Sequence, residues 1–269
     1  MVEIGGIAVA IRADDENFLQ SVRQRYAGFL SVSSPDVELD VDLSARGPVS
    51  DEDVHVCRDG RDWLMERGDF RARWNPESGR GQVKQSSNPY ALDSVLRILH
   101  SLILARRGGF LLHAASAVLP GEPGARAFLF SGVSGAGKTT IARLAPQDAL
   151  LLSDEISYVR PAGSGYMASG TPFSGELAEP GENCDAPLSA LFFLEKGPGN
   201  RIEEIPVSEA IRRLMRNILF FAEDHELVER LLATACHFVE KVPVRRLTFY
   251  PDNKVWGEVR DFEALPEHV

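Results

Sequence analysis

The sequence predicts an α/β protein with a smaller N-terminal α+β region. Three observations carry this. Residues 88–269 alternate helix-like and strand-like apolar patterns, residues 1–87 hold short strand pieces divided by polar turns, and a glycine-rich loop lies between an apolar strand and a helix. The domain boundary is placed between residues 87 and 88.

Composition sets the outer limits. With 269 residues, 44% hydrophobic and 25% charged, the chain has the profile of a soluble globular protein, with apolar mass for one large core or two smaller ones. A net charge of -10 argues against a nucleic-acid partner, because phosphate-backbone binding needs a basic surface. Arg12, Asp14, Asp15 and Glu16 interrupt the first thirty residues, which speaks against a secretory signal. The longest apolar runs, around Phe110 to Val118 and Leu188 to Leu194, are too short to span a bilayer. A cytoplasmic protein without a membrane partner is expected, and a homo-oligomer stays open. Cys57, Cys184 and Cys236 are odd in number and widely spaced, which favours reduced thiols over a disulfide framework or a zinc site.

The elements follow in order. Strand-like pieces are expected at Ile4 to Ile11, Val37 to Leu43, Trp63 to Glu66 and Phe70 to Trp74, with a helix from Glu16 to Phe29 between the first two. Leu92, Val95, Leu96, Leu99, Leu102 and Ile103 recur at helical spacing, and that helix should stop at Arg106-Arg107-Gly108-Gly109. Strands follow at Phe110 to Leu119 and Arg126 to Ser131, and the Pro120 to Gly124 turn between them suggests an antiparallel pair. A short helix from Lys138 to Ala145 leads to a buried strand, Leu150 to Leu152, which closes on Asp154-Glu155. Further strands are expected at Ser157 to Arg160, Tyr166 to Ser169, Leu188 to Glu195 and Val244 to Tyr250. Helical patterns cover Val207 to Phe221 and Glu223 to Val239.

Gly132-Val133-Ser134-Gly135-Ala136-Gly137-Lys138-Thr139 fits the pattern G-x-x-x-x-G-K-[ST] in full, with a strand entering and a helix leaving. Glycines allow backbone N–H groups to turn around phosphate oxygens without a Cβ in the way. Ser134, Gly135, Ala136 and Gly137 would therefore line a phosphate cradle closed by Thr140. Lys138 would reach the β and γ phosphates, and the Thr139 hydroxyl would ligate Mg²⁺. This reading names ATP and magnesium as cofactors. Phosphate binding alone leaves a kinase, a hydrolase and a switch open.

Asp154-Glu155 at the end of the buried strand Leu150 to Leu152 places two carboxylates beside that loop. Either can hold Mg²⁺ while the other takes a proton from an incoming hydroxyl. His113, within Phe110-Leu111-Leu112-His113-Ala114-Ala115-Ser116, is a third candidate, although a histidine in an apolar strand is commonly a hydrogen-bonded core residue. Arg245 and Arg246 are read as a solvated strand end or as a guanidinium source for a transferring phosphoryl group. His55, His100, His225 and His237 show no paired spacing.

Over residues 108 to 176 the chain resembles the HPr kinase/phosphorylase family and its relatives, which share a phosphate-binding core with phosphoenolpyruvate carboxykinases. The resemblance rests on Leu112-His113-Ala114-Ala115, on Phe128 through Thr140, and on Leu151-Leu152-Ser153-Asp154-Glu155, where Glu155 replaces a second Asp. It implies a mixed-sheet phosphate-loop core and transfer of phosphate from ATP to a serine-type hydroxyl on a protein or peptide. It also implies Asp154 as the base, Glu155 near the metal and His113 beside the reacting groups. The family's R-G-[LI]-G-[IL] segment is replaced by Ala168-Ser169-Gly170-Thr171-Pro172-Phe173-Ser174-Gly175-Glu176, as in HPr-kinase-like enzymes of uncertain substrate. Gly170, Thr171 and Glu176 are open to acceptor or metal roles, or to a mobile surface loop. The expected function is an ATP-dependent kinase. The alternatives are a nucleotide hydrolase, a carboxykinase-like enzyme acting on a small acid, or a non-catalytic ATP-binding module.

Overall fold

The computed structural model describes residues 1–43, 53–121 and 124–262. Glu122 and Pro123 of the expected turn lie outside the described residues. The protein is mixed α/β, with two mixed sheets and few helices, and divides into two compact units. One comprises Met1–Ile103 with Phe220–Val228, the other Leu104–Leu219 with Glu229–Val269.

The first unit begins with β1 (Val2–Ile4) and β2 (Ile7–Ala13), where a single strand from Ile4 to Ile11 is expected. Gly5 and Gly6 adopt φ of 57° and 79°, left-handed conformations that glycine accepts without a Cβ clash, and fold the segment into a hairpin. Helix α1 (Glu16–Arg25) starts where the Asp15 carboxylate accepts the Phe18 N–H. It ends before the expected Phe29, with a short 3₁₀ turn at Ala27–Phe29.

Strands β3 (Val37–Asp42), β4 (His55–Asp59), β5 (Asp62–Arg67), β6 (Phe70–Asn75) and β7 (Arg80–Gln85) complete the sheet, in the order β1-β2-β3-β7-β6-β5-β4. The β2, β3 and β7 trio is parallel and the other pairings are antiparallel. Strict alternation in β3 buries Val37, Leu39 and Val41 and turns Asp40 and Asp42 outward. Strands β4 and β7 went unpredicted, because the charged residues that alternate through them dilute the apolar signal.

Helix α2 (Pro89–Arg107) terminates at Gly108, with φ of 75°, as the Gly108-Gly109 pair predicts. Its residues up to Ile103 belong to the first unit, whereas the 87/88 boundary read from the change of pattern lies just before this helix. Here Asp93, only 4% exposed, accepts hydrogen bonds from Arg25 and from the buried Tyr26 hydroxyl. Burial, reinforced by the Asp93 charge, pushes the Tyr26 phenol well above its ordinary pKa.

The second unit holds β8 (Phe110–Leu119), β9 (Arg126–Ser131), α3 (Lys138–Arg143), β10 (Leu150–Ser153), β11 (Ile156–Ala162), β12 (Gly165–Ser169), β13 (Asp185–Lys196), β14 (Arg201–Glu204), α4 (Val207–Asn217), β15 (Ile218–Leu219), α5 (His225–Lys241), β16 (Val244–Phe249) and α6 (Val255–Arg260). The first four residues of α5 belong to the first unit. The antiparallel pairing of β8 with β9 is present, while β9, β13 and β16 run parallel. The pairing circuit β8–β11–β12–β13–β9 closes on itself, so β8 is paired along both edges. The expected helix from Val207 to Phe221 stops at Asn217, because Ile218 turns extended and pairs with Leu112 of β8. Helix α6 was not expected; it buries Val255, Trp256 and Val259. Among the described residues no helix is long and apolar enough to cross a membrane.

The ion-paired network in the first unit yields a stability prediction. Asp93→Ala is expected to lower the unfolding free energy by about 3–5 kcal/mol, because a partly buried guanidinium and a buried phenol lose their shared acceptor. Tyr26→Phe, which removes one hydroxyl, should cost only about 1 kcal/mol. Urea unfolding of both variants measures the difference.

Candidate functional site

The site grows from strand β8. Its ten residues are buried except His113, which is partly exposed. On one edge of β8, Ala114 pairs with Ser131, the last residue of β9, so residue 132 opens the glycine-rich loop directly beside His113. On the other edge, β10 pairs up to Ser153↔Ser116 and β11 resumes at Ile156↔His113. Asp154 and Glu155 fall in the irregularity between these strands, tied to β8 only by the Ala114 N–H donating to the Glu155 carbonyl at 2.9 Å. The structure thus brings Gly132–Thr139, His113, Asp154 and Glu155 together around four consecutive residues of one strand, 113 to 116.

Hydroxyl side chains repair the broken ladder. Ser131 donates to the His113 carbonyl at 2.9 Å and Ser157 to the Ala114 carbonyl at 2.8 Å. Ser153 accepts the N–H groups of Glu155 and Ile156 at 3.1 and 2.8 Å. Buried backbone polar groups need such partners, so these serines hold the acidic pair in register.

The loop itself is shaped by packing. Gly135 and Gly137 have φ of 77° and 112°. A Cβ on Gly137 would lie 2.5 Å from the Phe249 ring, so both conformation and space demand glycine there. Beneath the loop, the Trp256 indole donates to the Ile141 carbonyl at 3.1 Å and packs edge-on against Phe130, anchoring α3 to α6. Gly137 gives α3 no side-chain cap, unlike Asp15 at α1. Ser134 and Gly135 are exposed, Ala136 is buried, and Thr139 and Thr140 are partly exposed.

Lys138 is 9% exposed, and its ammonium donates to the carbonyls of Gly132 and Val133 at 3.0 and 3.4 Å. Burial lowers its pKa, opposed by the charges of Glu155 and then Glu176. Burial also lowers the pKa of His113, assisted by the Lys138 charge, so the imidazole is neutral near pH 7.

Asp154 is 4% exposed, and its two oxygens accept the N–H groups of Gly175 and Leu177 at 2.7 and 2.9 Å. The segment after β12 is latched in place. Thr171 N–H donates to the Leu152 carbonyl at 3.0 Å, its hydroxyl to the Ile156 carbonyl at 2.8 Å, and Glu182 N–H to the Leu151 carbonyl at 2.8 Å. Gly170 and Gly181 lie so close to the Glu182 and Leu152 carbonyls that a Cβ would fall within 1.8 and 1.7 Å of them. Thr171, fully buried with its hydroxyl donating to a carbonyl, is part of the latch. Glu176 is exposed.

Arg245 and Arg246 pair with Glu204 and Glu203 of β14, which accounts for both as strand-end ion pairs. His237 hydrogen-bonds the Tyr166 hydroxyl at 2.9 Å. Sequence reasoning missed Ser131, Ser153 and Ser157, whose spacing carries no signal until the strands are paired. It also missed a cavity of about 730 Å³ in the first unit, lined by Arg12, Asp14, Asp40, Asp42, Gln82 and Lys84 among others, at the ends of β2, β3 and β7.

Fold and site together define a mixed α/β protein whose second unit sets a glycine-rich loop and an acidic pair on opposite edges of one strand. The family described as SynChlorMet cassette protein ScmC matches residues 85–262, and the chain belongs to that family. The matched span contains the loop, His113, Asp154 and Glu155. No curated protein matches the chain.

The environment of His113 makes a titration prediction. Its imidazole should titrate below 6.5 in an NMR pH series, and Lys138→Met should raise the midpoint only partway, since burial, the larger cause, remains. The sign for stability follows. This contribution is present above pH 6.5 and is lost as pH falls through the lower folded-state value, because the unfolded chain then binds a proton that the folded one resists.

Proposed function

We propose that the protein is an ATP-dependent phosphotransferase with an HPr-kinase-like phosphate-loop core, which transfers phosphate to a serine-type hydroxyl on a protein or peptide. The observation that carries this reading is the placement of the motif-bearing loop and the acidic pair on the two edges of β8 around Ala114. A solvated glycine turn does not require a second polar cluster there, whereas phosphoryl transfer uses acidic groups beside the phosphates to hold the metal and orient the nucleophile.

The residues fit a nucleotide and its metal. Gly135, at φ of 77°, has nothing within 4 Å of where a Cβ would stand, α3 begins without a side-chain cap, and the Lys138 ammonium donates to the loop carbonyls of Gly132 and Val133. Backbone N–H groups of Gly132 to Thr140 and the Lys138 ammonium would hold the phosphates. Among the described residues no three His, Cys, Asp or Glu side chains form a metal cluster. Magnesium would draw on the Thr139 hydroxyl, phosphate oxygens and water, with the acidic pair acting on it through water. When bound, ATP supplies the γ-phosphoryl group and magnesium offsets its charge. One carboxylate of the pair accepts the hydroxyl proton, and neutral His113 lines the same space. Positioning and charge stabilisation supply the rate.

Incubation with γ-labelled ATP and magnesium tests the reading. Label on an acceptor hydroxyl is the expected result, falling at least about 100-fold in Lys138→Met as a phosphate-binding charge is lost. Free phosphate with no labelled acceptor would point to a hydrolase, and tight ATP binding without turnover to a binding module.

A further inference from the structure

The acidic pair does not divide its work as the resemblance implies. Asp154 faces inward, with both oxygens committed to backbone N–H groups of the turn at 175–177. A Cβ on Gly175 would sit 2.9 Å from Asp154 Oδ2 and 3.0 Å from Glu155 Oε2, so residue 175 lies against both carboxylates. Glu155 is partly exposed where Asp154 is buried. The Glu155 charge, and then that of Glu176, opposes the burial-driven fall of the Lys138 pKa. A general base has to reach the proton it takes. Glu155 has the exposure for this and Asp154 does not.

We propose that Glu155 is the proton acceptor for the incoming hydroxyl, and that Asp154 is a positioning residue whose two backbone hydrogen bonds fix the 175–177 turn against Glu155. The assignment rests on the phosphotransfer reading above. In the step, the acceptor hydroxyl oxygen bonds to the γ-phosphorus of a nucleoside triphosphate. The bond from that phosphorus to the β,γ-bridging oxygen breaks, and its electron pair leaves on the diphosphate. The hydroxyl proton passes to the Glu155 carboxylate. Gly175 is integral to the arrangement, because any side chain there would press on both carboxylates.

The full chain carrying Asp154→Asn, Glu155→Gln or Glu155→Asp tests this with two readouts, amide hydrogen exchange across residues 172–182 and the pH dependence of γ-phosphate turnover. Asn offers one acceptor oxygen where the carboxylate offered two, so Asp154→Asn should speed exchange at Gly175 and Leu177 by about 10-fold or more, as lost protection opens the turn. Its turnover should fall while keeping the wild-type loss of rate at acid pH. Glu155→Gln should leave exchange at those amides within about two-fold and lower turnover about 100-fold or more, abolishing the acid limb. Glu155→Asp should retain that limb at reduced rate. This pair decides the base even if Asp154→Asn does not fold.

Loss of the acid limb in Asp154→Asn, or its survival in Glu155→Gln, overturns the assignment. Unchanged exchange in a folded Asp154→Asn overturns the positioning role. If the wild-type protein turns over no triphosphate at any pH, the phosphotransfer reading falls and the proton-acceptor role with it, while the exchange pattern still decides what Asp154 does.

Discussion

The double pairing of β8 between His113 and Ser116 is the constraint on which the rest of the site depends. A strand paired on both edges cannot slide without breaking the hydrogen-bond ladders on both sides and shifting every buried side chain to the opposite face. On one edge it fixes where β9 ends and the glycine-rich loop begins. On the other it fixes the gap between β10 and β11 from which Asp154 and Glu155 leave the ladder. The two halves of the site are thus placed by a shared backbone and need no direct contact with each other.

Keeping such a gap inside a sheet exposes backbone groups that must find partners. The hydroxyls of Ser131, Ser153 and Ser157 supply them, with the latch formed by Thr171 and Glu182 along β10. The buried Asp154 carboxylate belongs to the same scheme. A charge taken out of water costs several kcal/mol unless it is hydrogen-bonded, and two backbone donors meet that demand while holding a turn. A segment that could have been a mobile loop is thereby tied to the site's floor. Below, Phe130, Phe249 and Trp256 form the apolar base on which α3 and the glycines before it rest.

Electrostatics then separates the groups by environment. Lys138 and His113 both lose pKa to burial, and the lysine charge also bears on the histidine. The glutamates at 155 and 176 offset the lysine's loss. The result is an imidazole and an ammonium whose charged forms burial opposes, the ammonium partly offset by the two glutamates.

Much of this was legible in the residues alone. The glycine pattern at 132–139, the helix ending at Gly108, the β8 and β9 pair and the acids at 154–155 are local signals, set by backbone sterics and periodicity within a few positions. Strands β4 and β7 were not, because their charged residues dilute the apolar pattern, and neither were the early end of α4 and the existence of α6, which depend on partners distant in sequence. The choice between two adjacent carboxylates belongs to the same class. Asp154 and Glu155 are indistinguishable as sequence, one chain position apart. Only the arrival of Gly175 and Leu177, about twenty residues later, engages Asp154 in two backbone hydrogen bonds, while Glu155 stays partly exposed. The sequence by itself determined which chemical groups are present and the local elements that carry them. Tertiary structure decided which of those groups remain available, because availability depends on long-range hydrogen bonds and burial that no local pattern encodes.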